Sequence, residues 1–132
     1  MTVVVGYVPT PVGEAALSHA LEEARRRDVR LVLVNTSRGD ALVDERFADE
    51  PQLDALRSRL AASGVAHDIV QSVRGREPNE EILSVAHERR AELVVIGLRR
   101  RSAVGKLLMG STAQRVLLEA ECPVLAVKAA PG

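Results

Sequence analysis

Glycine, hydroxyl and guanidinium groups crowd into one stretch of the chain. It reads Gly97-Leu98-Arg99-Arg100-Arg101-Ser102-Ala103-Val104-Gly105-Lys106-Leu107-Leu108-Met109-Gly110-Ser111-Thr112. Free backbone amides, hydroxyls and charged donors are the groups that hold phosphate oxygens. Gly97 follows the apolar run Leu93-Val94-Val95-Ile96, and a glycine there lets the backbone turn sharply or approach a ligand closely. Gly110-Ser111-Thr112 opens a helical pattern, where unsatisfied N–H groups and the positive end of the helix favour an anion. Arg99, Arg100, Arg101 and Lys106 add positive charge to the connection. Each feature also has a plainer reading: Ser111 or Thr112 caps the helix, and the arginines are a solvated loop. Their coincidence beyond one apolar run points to a phosphate-bearing ligand.

The common phosphate motifs do not account for it. A Walker A loop needs Gly, four residues, then Gly-Lys-Ser/Thr; here Gly105-Lys106 is followed by Leu107, and the position five before Gly105 is Arg100. The first apolar run continues Gly6-Tyr7-Val8-Pro9-Thr10, without the G-x-G-x-x-G of dinucleotide-binding folds. Catalytic groups are sparse. His19 and His87 fall within helical patterns, and His67 lies near the start of a strand, so none enters the candidate loops. Cys122, the lone cysteine, precedes Pro123 at the far end of a strand and reads as a small packing residue. Asp40, Asp44 and Glu45 sit in an aperiodic segment, residues 37–50, expected to be an exposed loop; they either hold Mg²⁺ beside phosphates or are simply solvated.

Positioning these groups requires a sheet. Residues 3–7, 31–34, 93–96 and 124–127 are continuous β-branched and aliphatic runs, the pattern of strands covered on both faces. Residues 66–73 alternate more and read as a strand near an edge. Between them, residues 14–27 place Ala16, Leu17, Ala20, Leu21 and Ala24 on one helical face. Residues 51–62 gather Leu53, Leu56 and Leu60 before Gly64. Residues 78–90 put Ile82, Leu83 and Ala86 inside, with Pro78 in the first turn. Residues 111–120 put Val116 and Leu117 inside and stop before Pro123. The order β-α-β-α-β-α-β-α-β predicts one α/β domain over residues 1–132, a doubly wound parallel sheet with helices on both faces. Ligands of such sheets sit beyond the carboxyl ends of the strands.

With these residues in view, the chain resembles the universal stress protein family. The nucleotide-binding branch of that family carries Gly, two residues, Gly, nine residues, then Gly-Ser/Thr. Gly97 matches the first glycine, and Gly110-Ser111 the closing pair. Glu121-Cys122-Pro123-Val124-Leu125-Ala126-Val127 resembles the family's final strand, and Arg76-Glu77-Pro78 also fits. The resemblance implies a five-stranded sheet in the order 3-2-1-4-5 with two helices on each face. It implies ATP, ADP or a related adenine nucleotide, with or without Mg²⁺, in the cleft after strands 1 and 4. By position the contacts would be Gly6, Val8, Val34, Ile96, Gly97, Arg100, Gly110, Ser111 and Thr112. Two departures are evident. Arg100 stands at the middle glycine and either blocks the phosphates or holds them by charge-assisted bonds. Val8 stands where the family's nucleotide binders keep an aspartate, and a valine accepts no hydrogen bond. The resemblance further implies a stress-response role without robust catalysis, slow ATP hydrolysis aside, and a homodimer through Val124-Leu125-Ala126-Val127. The alternative is a nucleotide-free dimeric docking protein of the same fold, Arg99–Arg101 facing an acidic partner.

Composition narrows the partners. The chain has 132 residues, 46% of them apolar, which is enough for a real core. Its 18 basic and 18 acidic side chains balance, so no global field draws it to nucleic acid or an anionic membrane. One Tyr, one Phe and no Trp leave almost no platform for stacking bases. No apolar run approaches the roughly 20 residues that span a bilayer. The N-terminus lacks a signal-peptide pattern, so a cytoplasmic protein is expected.

Overall fold

Strand β1 (Thr2–Tyr7) forms the centre of the molecule because its Val3, Val4 and Val5 are wholly buried on alternating faces. In a computed structural model, which describes residues 1–35, 50–71, 76–98 and 110–129, four further strands join it. They are β2 (Arg30–Asn35), β3 (His67–Gln71), β4 (Ala91–Leu98) and β5 (Val124–Lys128). All pairings are parallel, and the order is β3-β2-β1-β4-β5, as the family resemblance implies. Helices α1 (Pro11–Arg27), α2 (Glu50–Ser63), α3 (Pro78–Glu88) and α4 (Ser111–Glu119) make the crossovers.

The period of two along each strand sorts the side chains into two cores. On one face Val3, Val5, Leu31, Leu33, Leu93 and Val95 pack against Leu17 and Leu21 of α1 and Leu53, Leu56 and Leu60 of α2. On the other, Val4, Val32, Val34, Val94 and Ile96 meet Ile82 and Val85 of α3 and Ala113 and Val116 of α4. Each fully buried leucine contributes about 2 kcal/mol of transfer free energy. With almost no aromatic residue available, that aliphatic interdigitation is what holds the layers together.

Several details differ from the sequence reading. Helix α1 starts at Pro11 rather than residue 14: Thr10 is its N-cap, accepting a hydrogen bond from Gly13 N at 3.2 Å, and Pro11 occupies the first turn. Leu117 is not a core residue but 37% exposed, because the buried stripe of α4 runs through Ala113 and Val116 and Leu117 lies about 100° around the helix from Val116. Val85, by contrast, is buried on α3, and so is Glu81, whose carboxylate sits in the first helical turn 3.2 Å from Arg76 Nη1. Glu50 belongs to α2 rather than to the preceding segment. The rest of residues 37–50, with Asp40, Asp44 and Glu45, lies outside the described residues.

The amino ends of the strands are tied by charge. Asp68 of β3 meets Arg30 at 3.2 Å and Arg89 at 3.0 Å, and Glu92 of β4 meets Arg27 at 3.0 Å. Cys122 also lies at this end, half-buried against the α3–α4 core. Burial and the neighbouring Glu121 charge push its thiol above the ordinary value, which disfavours the reactive thiolate.

Candidate functional site

Ligands of doubly wound sheets sit beyond the opposite end, the carboxyl end of the strands. There β1 ends at Tyr7, β2 at Asn35 and β4 at Leu98, and α1 and α4 begin. After Tyr7 the chain turns through Val8, Pro9 and Thr10, with Thr10 N donating to Val8 O at 2.8 Å. Gly13, in the first turn of α1, packs on that turn so closely that a Cβ would stand 1.7 Å from the Val8 carbonyl oxygen. The same helical turn reaches β4: a Cβ on Gly97 would meet Val12 Cγ2 at 2.8 Å and Val12 O at 3.1 Å. The glycines therefore seat the start of α1 between the β1 turn and the end of β4.

Helix α4 opens differently. Gly110 is its N-cap with extended backbone (φ −69°, ψ 164°), so neither Ser111 nor Thr112 holds the cap position. Among the described residues, apart from its chain neighbours, no heavy atom lies within 4 Å of where a Gly110 Cβ would be. Ser111 is exposed and Thr112 half-buried. The amides of this first turn have no carbonyl partner within the helix. An exposed hydroxyl beside a glycine and the first-turn amides of a helix is the kind of arrangement that receives anions.

The sequence-derived contacts thus divide. Val8, Gly110, Ser111 and Thr112 lie on loops or helix starts at the carboxyl end, and Gly97 lies within β4, one residue before its last. Gly6, Val34 and Ile96 lie one step inside the sheet. Gly6 pairs with Val34, and a Cβ on Gly6 would meet Ile82 Cδ1 at 2.7 Å, so α3 already fills the space over that glycine. The Val34 and Ile96 side chains are spent on the α3–α4 core and leave only backbone to offer a ligand. Arg100 lies outside the described residues, as do Arg99, Arg101 and Lys106. Among the described residues, no group of three or more His, Cys, Asp or Glu side chains is placed to hold a metal ion.

A polar chain escaped the sequence reading. The buried Tyr7 hydroxyl donates to Glu14 Oε1, and Arg59 Nη1 of α2 donates to Glu14 Oε2. Arg59 Nη2 also reaches Ser18 Oγ at 3.1 Å. Asn35, fully buried beside Tyr7 at the end of β2, donates from Nδ2 to Gln71 Oε1 at 3.0 Å; its Oδ1 has no partner among the described residues. The Thr-Pro start of α1 was a legible signal for where Glu14 falls in that helix. The long-range pairing was not.

Burial pushes the Tyr7 phenol well above its ordinary value of 10.0, with the Glu14 bond and charge adding to the rise and Arg59 opposing it. The folded state therefore keeps this proton longer than the unfolded chain. Its stabilising contribution is complete below pH 10.0 and falls away as pH rises from there through the higher folded value. Tyr7 is the only tyrosine and there is no Trp, so the phenolate absorbance band isolates it. We expect that band to emerge together with unfolding in alkaline titration, and Tyr7→Phe to flatten the alkaline loss of stability. A phenolate signal well before unfolding would contradict the burial.

Comparison with known proteins bears on what this end of the sheet is for. The model of the universal stress protein family matches residues 1–128. The chain belongs to the universal stress protein family. A curated universal stress protein of Mycolicibacterium smegmatis is 50% identical over 126 residues, 96% of each chain. Among solved family structures, the universal stress protein from Archaeoglobus fulgidus superposes with a TM-score of 0.80 at 34% identity, covering 97% of this chain and 98% of that one. The structure of the universal stress protein from Archaeoglobus fulgidus in complex with dAMP matches at a TM-score of 0.73 and 31% identity, covering 97% and 98%. No helix among the described residues is long and apolar enough to cross a membrane.

Proposed function

We propose that this universal stress protein binds an adenine nucleotide at the carboxyl end of its sheet, between the β1–α1 turn and the start of α4. The observation that carries the reading is the opening of α4, where no described residue beyond its chain neighbours crowds Gly110 and Ser111 is exposed beside the amides of the first turn. Phosphate oxygens suit that seat. The dAMP complex of a family member at 31% identity supports the adenine part. Val8 offers the sugar and base only its backbone and an apolar surface, so the nucleotide is held chiefly through main-chain groups, Ser111 and Thr112. No described cluster of acid, base and nucleophile stands in these loops. The protein is read as a nucleotide-responsive stress module rather than an enzyme, ATP, ADP or AMP being its ligand, with Mg²⁺ where the phosphates need it.

The test is a thermal-shift titration with AMP and with ATP and Mg²⁺. A ligand at 100 times its dissociation constant adds about 2.7 kcal/mol, which for a chain of this length raises Tm by roughly 10 °C. The shift should vanish in Ser111→Trp, which fills the seat. Absence of any shift at millimolar nucleotide would favour the nucleotide-free docking protein instead.

The protein is also proposed to form a two-fold dimer through β5. This strand is the sheet edge beyond β4, and its Val124, Leu125 and Ala126 are only partly buried within one chain. An edge of this kind with no inward charge invites pairing with its own copy. Leu125→Lys should convert the dimer to monomer in sedimentation. A dimer that persists in Leu125→Lys would place the contact elsewhere.

A further inference from the structure

We propose that Glu14 is a positioning residue for the nucleotide seat, holding the β1–α1 turn from both of its ends and linking it to α2. The role rests on the nucleotide reading above, but the observations behind it are separate. Tyr7 is the last residue of β1 and Glu14 lies in the first turn of α1, so the hydroxyl-to-carboxylate bond between them closes the turn like a buckle. Inside that closure are Val8, assigned to the nucleotide by the family resemblance, and Val12, which packs on Gly97 near the end of β4.

Beside the close packing of Gly13 on Val8 and of Val12 on Gly97, hydrogen bonding within the turn is sparse. Pro9 and Pro11 carry no N–H, so its internal bonds reduce to Thr10 N to Val8 O, Gly13 N to Thr10 Oγ1 and Glu14 N to Thr10 O. The carboxylate divides its two oxygens: Oε1 takes the Tyr7 proton donor and Oε2 takes Arg59. Arg59 extends the connection along α1 to Ser18. Glu14 thus ties β1, α1 and α2 together by hydrogen bonds. Its two oxygens can be separated by substitution. Glu14→Gln, with the amide turned so that its oxygen faces Tyr7, keeps an acceptor for the hydroxyl and presents N–H₂ to Arg59. Glu14→Ala removes both.

Calorimetric titration with AMP tests this on wild type, Glu14→Ala, Glu14→Gln, Tyr7→Phe and the double variant Tyr7→Phe/Glu14→Ala. Losing the buckle should weaken AMP binding about tenfold in Glu14→Ala and in Tyr7→Phe, the equivalent of one hydrogen bond. The double variant should lose no more than Glu14→Ala alone, because both changes break the same bond. Glu14→Gln should bind within about threefold of wild type, a rescue that a general loss of stability would not give. In the ligand-free protein, amide exchange at Thr10 and Gly13 should quicken about tenfold in Glu14→Ala while the β1 and β2 amides keep their rates. Wild-type affinity in Glu14→Ala, no rescue by Glu14→Gln, additive losses in the double variant or unchanged exchange at Thr10 and Gly13 would each overturn the role. Failure of wild type itself to bind AMP overturns the nucleotide reading, and the assignment of Glu14 to a nucleotide seat with it.

Discussion

Gly13→Ala is expected to destabilise the protein by about 3 kcal/mol or more, at or beyond the upper end of ordinary overpacking. The added methyl carbon would stand 1.7 Å from the Val8 carbonyl oxygen, with Val8 C at 2.8 Å and Val8 N at 3.0 Å. These are backbone atoms, so no rotamer change relieves the clash. Either the start of α1 lifts off the turn or the turn itself moves. An alanine gains up to about 1 kcal/mol over glycine in a helix interior, and less in a first turn, which does not offset the collision. Equilibrium denaturation should show a lowered midpoint with an unchanged slope. A midpoint equal to wild type would mean that α1 does not sit on the β1 turn as described. Gly6→Ala is the matched contrast. Its new atom would meet the tip of Ile82, the flexible end of a side chain, and the change should cost far less.

Gly97→Val should carry the second large effect, about 2–3 kcal/mol of stability together with loss of nucleotide binding. A Cβ there already meets Val12 Cγ2 at 2.8 Å and Val12 O at 3.1 Å, and valine adds two methyl groups to the same crowded space. Valine's preference for strands works in the opposite direction but spans only about 1 kcal/mol. Because Val12 belongs to the turn that presents Val8, displacing it opens the cleft from the β4 side. Denaturation and AMP titration together check this. A folded Gly97→Val protein with wild-type affinity would remove Gly97 from the site.

These two glycines show what the sequence made legible. The aliphatic runs of β1, β2, β4 and β5 stood out because strands buried on both faces carry no polar interruption. The helices showed through the spacing of Ala16, Leu17, Ala20, Leu21 and Ala24 and of Leu53, Leu56 and Leu60. The strand order was legible only through family likeness, since periodicity does not say which strands are neighbours. The first turn of α1 was missed because Val12 and Gly13 serve contacts with loops rather than an apolar stripe. Leu117 was misplaced because a helix of nine residues gives too few turns to separate a core position from its flank. Gly97 was singled out as a place for ligand approach; in the structure Val12 of the same protein also makes that approach.

The polar parts were the least legible. Glu14 and Arg59 are separated by 45 positions, and nothing in their local patterns joins them. Asn35 and Glu81 are buried at positions that a hydrophobicity pattern assigns to solvent or leaves unassigned. Their partners, Gln71 and Arg76, lie at or just beyond strand and helix ends, where backbone geometry rather than composition decides contact. Of the candidate site, the helix start at Ser111 was the most legible part, because a small residue followed by hydroxyls marks such a start in the sequence.

The central claim is that the open start of α4 seats the phosphate of an adenine nucleotide. Calorimetry of the purified wild-type protein against AMP addresses it most directly, with Ser111→Trp as the filled-seat control. The account predicts saturable binding of one AMP per chain in wild type and none in Ser111→Trp. No heat of binding to wild type at millimolar AMP, or equal binding by both proteins, would contradict it.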